Sequence, residues 1–328
     1  MNFLCCSVGR RTELIKNFKM SLGNDSKIVA IDNSNTAPAL YFADKQYIVP
    51  RIYAEQYVDI LLDICVRENI QAITTLIDPE IEILAENREK FKEIGVEVLA
   101  PYLETAKLCF DKYKMYEFLV QNDIKTVKTY NGLDDFSRAY KEKKCSFPVF
   151  VKPRTGSASV GAMKIKDYDE LMSVCSQSEK LIIQEFMDGV DLDADVYVDT
   201  ISHRPVSIFS KKKLETKIGG ANKTISFKDE KLNKIIVDVA SKLEFNGPID
   251  IDFFYKDGEY YLSEINPRFG GAYLHSYGCG VDFIKLILNN LNGIENSAEF
   301  GNYEEDVLMM MYDSVVIKRK SELIRVSL

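Results

Sequence analysis

The sequence predicts an α/β fold built from two or three subdomains, and two observations lead to that prediction. Through the first 76 residues, apolar strand-like runs alternate with amphipathic helical stretches, the pattern of a parallel sheet covered by helices. Between 247 and 271, apolar and polar residues alternate with a period of two, which is typical of a half-buried β-hairpin. A chain of 328 residues is also too long for one small core.

The N-terminal alternation can be followed element by element. It begins with a strand at Asn2–Cys6, followed by a tight turn and a helix. The next elements are a strand at 27–32, a helix at 54–68 and a strand at 71–76. Segment 1–105 is therefore predicted to form a Rossmann-like domain.

Two loops of this domain carry charged residues at predicted strand ends. The turn Ser7-Val8-Gly9-Arg10-Arg11 lacks the GxGxxG pattern of dinucleotide sites, so Arg10 and Arg11 either hold a carboxylate or phosphate at the helix N-terminus or lie exposed in a plain turn. In the later loop, capping of a helix by Asp78 explains the acidic residues. Contact of Asp78 and Glu80 with a substrate is the alternative, because open α/β sheets bind ligands at strand ends.

The composition narrows the class of protein. Hydrophobic residues at 46% and charged residues at 28% are typical of a soluble globular protein, and the net charge of −8 argues against nucleic-acid or anionic-membrane partners. No apolar run approaches the length of a membrane span, so we expect a cytoplasmic protein. Seven cysteines without CxxC spacing indicate reduced thiols, and His203 and His275 form no zinc or triad pattern.

The predicted hairpin brings together oxygen-bearing side chains. If the numbers of facing residues sum to an even value, Asp252 lies opposite Glu264 and Asp250 opposite Asn266, all on one face. Two carboxylates and an amide oxygen converging there suit Mg²⁺. A solvated sheet face with ordinary acidic residues is the alternative.

The hairpin could pair with even or with odd sums of facing residue numbers, and the length of its turn decides which. With a two-residue turn, Asp257-Gly258, the numbers of facing residues would sum to an odd value. The two polar pairs would then lie on opposite faces of the hairpin. We therefore expect a three-residue turn that ends at Glu259, with Tyr261, Ser263 and Ile265 on the other face.

Taken with the adjoining Asn266-Pro267-Arg268, the hairpin resembles the metal-binding signature of the ATP-grasp superfamily, in the branch similar to half of a carbamoyl-phosphate synthase large subunit. The resemblance implies that Asp252, Glu264 and Asn266 bind Mg²⁺, with Mn²⁺ as an alternative. It also implies a catalytic role for Arg268, which would clamp the transferred phosphoryl group or the substrate carboxylate. The family usually has Gln or Glu where Asp252 stands.

The same resemblance assigns residues that would bind the ATP phosphates. Lys112, in an Asp-Lys pair that begins a helix, and Lys152, at the end of the strand in PVFVKPRTGSASVG, would neutralise phosphate oxygens, with Lys152 also catalytic. Small residues of the following loop would form a mobile flap over the phosphates: Gly156, Ser157, Ser159 and Gly161. A flexible hairpin loop is the alternative.

The stretch after residue 180 would complete the nucleotide site. An apolar strand at 181–187 suits the adenine hinge of the family, where main-chain groups of Glu185, Phe186 and Met187 would contact the base. Asp191 would bind the ribose, although the family usually has the longer Glu. Asp193 and Asp195 are expected to face solvent.

A basic stretch follows, and the remaining elements are predicted from periodicity alone. Lysines 211, 212, 213, 217 and 223 form a loop region that is solvated by default, and Lys213 is assigned an alternative role at the γ-phosphate. We expect a strand at 208–213, a helix at 230–243, a helix at Phe283–Leu291 and further strand between 307 and 317.

These inferences combine into one hypothesis. A Rossmann-like domain (1–105), a small lid subdomain (106–188) and a larger C-terminal catalytic subdomain (189–328) would form an ATP-grasp enzyme. The resemblance implies an ATP- and Mg²⁺-dependent carboxylate–amine ligase that forms an acyl phosphate from small-molecule substrates and releases ADP and phosphate; a homodimer is also expected. The alternatives are phosphorylation of bicarbonate or carbamate, as in carbamoyl-phosphate synthase, and a regulatory nucleotide-binding protein without turnover.

Overall fold

The computed structural model describes residues 1–156, 161–176, 180–217 and 220–324. The flap residues Ser157 and Ser159 lie outside these ranges.

The N-terminal part is a parallel sheet with helices around it, as predicted. Its strands lie in the order β3-β2-β1-β4-β5. The strands are β1 (Asn2–Cys6), β2 (Ile28–Asp32), β3 (Lys45–Ile48), β4 (Ile70–Thr75) and β5 (Glu97–Val98), and the helices are α1 (Thr12–Leu22), α2 (Tyr57–Arg67), α3 (Asp78–Glu86), α4 (Arg88–Glu93) and α5 (Leu103–Phe110), with a 3₁₀ turn at Pro38–Phe42. Buried β-branched and aliphatic residues fill the strands because both faces of the sheet are covered.

A small antiparallel sheet comes next, in the order β6-β9-β7-β8. Its strands are β6 (Thr129–Tyr130), β7 (Val149–Pro153), β8 (Met163–Ile165) and β9 (Leu181–Glu185), with helices α6 (Lys112–Gln121), α7 (Leu133–Lys141) and α8 (Tyr168–Cys175). Asp111 caps α6 by accepting hydrogen bonds from the backbone N–H groups of Tyr113 and Lys114, as expected for an aspartate in that position.

The C-terminal part is a larger sheet, ordered β14-β13-β10-β11-β12-β16, with β15 beside β11. Its strands are β10 (Val190–Val198), β11 (Pro205–Lys217), β12 (Gly220–Phe227), β13 (Gly247–Lys256), β14 (Glu259–Asn266), β15 (Glu299–Phe300) and β16 (Leu308–Met310), and its helices are α9 (Glu230–Ser241), α10 (Tyr273–Gly278) and α11 (Phe283–Leu291), followed by a 3₁₀ turn at Lys320–Glu322. The strand predicted at 208–213 is confirmed as part of β11, which contains Lys211 and Lys213 and continues to Lys217, a residue expected in the basic loop. Of the strand expected between 307 and 317, only the short β16 forms.

The N-terminal and C-terminal parts share one core. Phe18 of α1 packs edge-on against Phe269, with 5.4 Å between ring centroids, and α11 supplies Phe283, Ile284 and Ile287 to the same buried cluster. The loop after β14 is therefore held against the first βα unit, which positions the end of the hairpin at this junction. The expected subdomain boundaries at 105 and 188 stay a prediction.

Candidate active site

The hairpin of β13 and β14 has the facing pairs expected of a metal site. Asp252 lies opposite Glu264, and Asp250 lies opposite Asn266. The predicted pairing of these four residues across the hairpin is therefore confirmed.

The expected three-residue turn is wrong, because Asp257 and Gly258 form a two-residue turn between paired Lys256 and Glu259. Both turn residues have positive φ, 51° and 79°, which suits the primed turns of short hairpins. A β-bulge opposite Asp252 and Phe253 leaves Ser263 of β14 unpaired. Beyond the bulge the pairing shifts by one residue, so Asp252 faces Glu264 as predicted.

The bulge also changes which residues of β14 are buried. Tyr260 and Leu262 are buried at 5% and 0% exposure, whereas Tyr261 and Ser263 are half-buried. The expectation that Tyr261 and Ser263 share the apolar face with Ile265 is therefore wrong. The buried positions Leu262 and Ile265 are three residues apart across the bulge, whereas a regular strand buries every second residue.

Three lysines converge on the carboxylates of this face. Lys213 Nζ lies 2.5 Å from Asp252 Oδ1, Lys112 Nζ lies 3.4 Å from Glu264 Oε1, and Lys152 Nζ lies 4.0 Å from Glu264 Oε2. These cations come from β11, α6 and β7, so elements of both later sheets meet here. The predicted phosphate-binding lysines and the predicted metal ligands thus form one cluster.

The donor set fits a magnesium ion. Asn266 donates a hydrogen bond through Nδ2 to Asp252 Oδ2 at 3.1 Å, which leaves its Oδ1 as an acceptor beside the carboxylates. Asp252, Glu264 and Asn266 therefore offer oxygen atoms only, which are the ligands that Mg²⁺ prefers.

Burial alters the titration of this cluster. Burial raises the pKa of Asp252 to about 6, and the adjacent Lys213 ammonium opposes that rise. Burial lowers the pKa of Lys152, although the charge of Glu264 works in the other direction. For Lys213 burial opposes the charged form, but the carboxylates of Asp252, Asp193 and Asp191 outweigh it and raise its pKa.

Arg268 lies between the hairpin and the N-terminal part. Its Nε is 2.7 Å from Asp78 Oδ1, and Nη1 is 3.7 Å from Asp250 Oδ2. Asp78 occupies the first position of α3 and provides no side-chain cap, so its predicted role as the N-cap is wrong. Its carboxylate instead holds the guanidinium at the edge of the metal face.

The two arginines of the first loop have different environments. Arg11 donates from Nη2 to the carbonyl of Gly270 at 2.6 Å, and burial together with the nearby Arg268 lowers the pKa of Arg11 to about 10. Arg10 is exposed. Arg11 therefore fixes the loop after Arg268 to the first βα turn.

Glu80 is fully buried beneath the first loop, which excludes the alternative of a substrate contact in this conformation. Its carboxylate accepts hydrogen bonds from Ser7 and Thr75, both at 2.6 Å, and from Tyr57. Burial raises the pKa of Glu80, and the three hydroxyl donors oppose that rise. These contacts connect α3 to the loop after β1, to β4 and to α2 within the N-terminal part.

Asp193 and Asp195 do not face solvent, contrary to the expectation, because they are buried at 4% and 1% exposure. Lys211, fully buried, lies 3.2 Å from Asp193 and forms an ion pair with Asp195. Asp250 faces Asp195 across the β10–β13 ladder, and burial raises the pKa of Asp250 and of Asp195.

A signal for this buried layer was present in the sequence. Asp191, Asp193 and Asp195 alternate on β10 with the same period of two as Asp250 and Asp252 on β13, so both sets share one face. The periodicity of one strand could not show that Lys211, on the neighbouring strand, would pair with the carboxylates of Asp193 and Asp195.

The phosphate end of the site begins at α6. Lys112 donates a hydrogen bond to the carbonyl of Gly156 at 2.6 Å, and Arg154 forms an ion pair with the capping Asp111 at 2.8 Å. Gly156 and Gly161 both have positive φ, 118° and 75°, a conformation that favours glycine.

The predicted hinge lies at the end of β9. The N–H of Glu185 donates to the carbonyl of Lys128 at 3.0 Å, and Lys164 Nζ lies 3.6 Å from the ring centroid of Phe186. Met187 follows in an irregular segment.

Asp191, at the start of β10, pairs with Lys213 at 3.0 Å. Lys213 therefore bridges the proposed ribose carboxylate and the proposed metal ligand Asp252. The roles of the hinge and phosphate residues stay predictions.

Within the residues described, none of the helices is long and apolar enough to cross a membrane.

The chain is similar to several curated proteins. Among curated proteins, the chain is 25% identical to carbamoyl-phosphate synthase of Methanobrevibacter smithii, over 82% of this chain and 76% of that protein. It is 27% identical to phosphoribosylamine–glycine ligase of Fusobacterium nucleatum, over 65% of this chain and 56% of the relative.

Solved structures share the fold. The biotin carboxylase domain of Hydrogenobacter thermophilus 2-oxoglutarate carboxylase, solved with MgADP and bicarbonate, matches with a TM-score of 0.74 at 16% identity, over 93% of this chain and 73% of that one. N5-carboxyaminoimidazole ribonucleotide synthetase of Thermotoga maritima matches with a TM-score of 0.68 at 19% identity, over 91% of this chain and 78% of that one.

Two family models cover most of the chain. The model of the PylC-like N-terminal domain matches residues 3–99, and the ATP-grasp domain model matches residues 109–272, half of the chain. The protein therefore belongs to the ATP-grasp family and is an ATP-grasp ligase.

Proposed function

We propose that the protein is an ATP- and Mg²⁺-dependent carboxylate–amine ligase that forms an acyl phosphate and releases ADP and phosphate. The observation that carries this proposal is the convergence of Asp252, Glu264 and Asn266, an oxygen donor set, with Lys112 and Lys152 in a chain of the ATP-grasp family. That combination is what a site for transfer of a magnesium-bound phosphoryl group requires.

The metal face and its lysines would change partners when nucleotide binds. Mg²⁺, held by Asp252, Glu264 and Asn266, would neutralise charge on the phosphates. Lys112 and Lys152, which lie beside Glu264, would then move their charges to phosphate oxygens.

The remaining nucleotide contacts are proposed from the resemblance to the ATP-grasp family. Main-chain groups of Glu185, Phe186 and Met187 would contact the adenine, and Asp191 would accept a hydrogen bond from the ribose. Gly156 and Gly161, with the flap between them, would close over the phosphates. Mn²⁺ would replace Mg²⁺ because it takes the same oxygen ligands.

The proposed reaction has two transfers. An oxygen of the substrate carboxylate, oriented by Arg268, attacks the γ-phosphorus, and the bond to the β-phosphate oxygen breaks to release ADP. The amine then attacks the carbonyl carbon of the acyl phosphate; phosphate leaves and the amine loses a proton to solvent. Burial, together with the carboxylates of Asp78 and Glu264, raises the pKa of the nearby Cys109, so this thiol stays protonated and is a poor nucleophile.

The experiment that tests this proposal is a screen of carboxylic acids with and without amines for phosphate release. We expect ADP and phosphate to appear only with a matching acid, and a hydroxamate to form when hydroxylamine replaces the amine. Turnover that no acid stimulates would contradict the proposal. Size-exclusion chromatography with light scattering would test the proposed homodimer in the same preparation.

Phosphorylation of bicarbonate is a second candidate, favoured by the similarity to carbamoyl-phosphate synthase over 82% of this chain. Bicarbonate would then stimulate ADP release in the absence of any organic acid. A response to an organic acid but not to bicarbonate would exclude this candidate.

A further inference from the structure

The base of the proposed flap is tied to the N-terminus of helix α6 by three contacts. The backbone N–H of Lys112 donates to the carbonyl of Arg154 at 3.0 Å. The Lys112 ammonium donates to the carbonyl of Gly156 at 2.6 Å, and the Arg154 guanidinium pairs with Asp111. The segment that leads from β7 into the flap is therefore held against the lysine proposed to bind the ATP phosphates.

The ion pair between Arg154 and Asp111 is bidentate. Arg154 Nε lies 2.8 Å from Asp111 Oδ1, and Arg154 Nη2 lies 2.8 Å from Asp111 Oδ2. The Arg154 and Asp111 side chains are 30% and 14% exposed, so solvent screens this pair less than a pair on an open surface. Bidentate pairing of two charged groups fixes their orientation as well as their distance.

Asp111 uses its two carboxylate oxygens differently. Oδ1 accepts hydrogen bonds from the backbone N–H groups of Tyr113 and Lys114, both at 3.1 Å, and so caps α6. Oδ2 accepts two hydrogen bonds from Arg154, at 2.9 Å from Nε and 2.8 Å from Nη2. A cap needs only one acceptor oxygen, which an asparagine also provides. The second oxygen and the negative charge are therefore what the pair with Arg154 requires.

Further contacts hold the Arg154 side chain and backbone in place. Arg154 Nη1 donates to Asn131 Oδ1 at 3.3 Å, and the guanidinium carbon lies 5.5 Å from the ring centroid of Tyr113 on α6. The backbone N–H of Arg154 donates to the carbonyl of Lys180, just before β9, at 2.9 Å. Arg154 therefore connects the end of β7 to α6, to the loop before α7 and to the residue that precedes β9.

These contacts define the place of the Lys112 ammonium. The Lys112 side chain is 10% exposed, and its Nζ lies 3.4 Å from Oε1 of Glu264, which faces Asp252 across the hairpin. Lys112 directly follows Asp111, so a shift of the helix N-terminus moves the ammonium relative to the proposed metal face. A misplacement of about 1 Å can cost a reaction of this kind up to a hundredfold in rate.

We propose that Arg154 is a positioning residue, which acts through Asp111 to set the place of the Lys112 ammonium at the ATP phosphates. The inference rests on the proposed function, in which Lys112 binds phosphate, and adds the residue that orients it. The Arg154 guanidinium is occupied by Asp111 and Asn131, so it orients Lys112 and does not itself bind phosphate. A lysine at position 154 would not replace it fully, because an ammonium lacks the planar fork that matches both carboxylate oxygens.

The test measures the binding of a non-hydrolysable ATP analogue with Mg²⁺ by calorimetry, and the binding of adenosine by competition. Arg154→Gln should raise Kd for the analogue about tenfold, because the Lys112 ammonium is no longer held in place, and should leave Kd for adenosine unchanged. Arg154→Lys should recover only part of the loss. A merely structural role would weaken the binding of both ligands alike.

Three further variants test the route through Asp111 and Lys112. Asp111→Asn keeps a capping oxygen but removes the charge that Arg154 pairs with, so it should give the same loss as Arg154→Gln. In a Lys112→Ala background, Arg154→Gln should cause no further loss, because the residue that it orients is absent. Arg138→Gln is the matched control, since Arg138 is exposed on α7 and its replacement removes the same charge. It should leave both dissociation constants unchanged.

The outcomes separate this inference from the proposed function. Unchanged analogue binding by Arg154→Gln, or an equal loss in the parent and Lys112→Ala backgrounds, would overturn the inference and leave the ligase proposal intact. An equal loss of affinity for the analogue and for adenosine would do the same. A loss that depends on Lys112 and on the phosphates, without stimulation of ADP release by any acid, would support the inference and overturn the ligase proposal.

Discussion

Glu264 is the residue on which the site depends most. It faces Asp252 across the hairpin, lies near Lys112 and Lys152, and lines a cavity of about 300 Å³. One carboxylate is thus a proposed metal ligand that lies beside both proposed phosphate-binding lysines. No other residue of the described chain has all three contacts.

We predict that Glu264→Gln lowers kcat far more than it weakens nucleotide binding. The adenine and ribose contacts lie on the hinge, whereas the lost charge stabilises the transferring phosphoryl group, so kcat should fall by about a hundredfold or more. Steady-state kinetics and calorimetric titration with ADP would measure the two effects.

Glu259→Gln is the matched control for this variant. Glu259 lies on the same strand, but its partners are the surface residues Lys125 and Lys231. It should retain parental turnover. If Glu264→Gln also turned over like the parent at saturating Mg²⁺, the metal assignment would be wrong.

At the scale of elements, the bulge in β14 determines whether the three proposed metal ligands, Asp252, Glu264 and Asn266, lie on one face of the hairpin. The two-residue turn alone would set odd sums and place Asp252 opposite Ser263. The extra residue moves Glu264 into that place. Sequence periodicity predicted the facing pairs from their chemistry but assigned the extra residue to the turn, because a bulge has no signal in single-residue alternation.

Deletion of Ser263 should therefore be tolerated. The two-residue turn would then place Glu264 opposite Asp252 in a regular ladder, so binding of ADP and Mg²⁺ should persist and the urea midpoint should change little. Fluorescence-monitored unfolding and calorimetry would check both.

Deletion of Tyr261 provides the comparison. It would move Ser263 into the core position of Leu262, which is fully buried, at a cost of about 2–5 kcal/mol in the free energy of unfolding. Equal destabilisation by the two deletions would contradict the role assigned to the bulge.

At the scale of the whole molecule, the site lies where three sheets meet. Arg11 and Asp78 come from the N-terminal part, Lys112 and Lys152 from the middle, and the metal face from the C-terminal part. The order of the N-terminal strands and helices could be predicted from local patterns, whereas the phosphate roles of Lys112 and Lys152 were inferred from the family resemblance and stay predictions. The pairing of Arg268 with Asp78 and the burial of Lys211 could not be predicted, because each depends on contacts between segments far apart in sequence.

The C-terminal part also contains a pH-dependent contact. His275, buried on α10, has Nδ1 2.8 Å from Thr224 Oγ1 and Nε2 3.1 Å from the carbonyl of Val307, which fits a neutral ring that donates from Nε2. Burial, together with the charge of Lys211, lowers the pKa of His275 to about 4. Between pH 6.5 and about pH 4 the unfolded state therefore binds a proton that the folded state does not.

We predict that this contribution to the free energy of unfolding is present above pH 6.5 and is lost as the pH falls towards 4. Between pH 7 and pH 5 the loss from this residue is about 2 kcal/mol. Urea unfolding of the parent and of His275→Gln at both pH values would measure the contribution of His275 to the free energy of unfolding. An equal pH dependence in the two proteins would contradict the assignment.

The central claim is that a substrate carboxylate attacks the γ-phosphorus of ATP. The most direct measurement uses the acid that stimulates ADP release, labelled with ¹⁸O in its carboxylate, and follows the products by ³¹P NMR and mass spectrometry. The account predicts ADP together with inorganic phosphate that carries one ¹⁸O from the acid. Label in AMP, with release of pyrophosphate, would contradict it, because attack would then occur at the α-phosphorus and not at the γ-phosphate that Glu264 and its lysines are proposed to face.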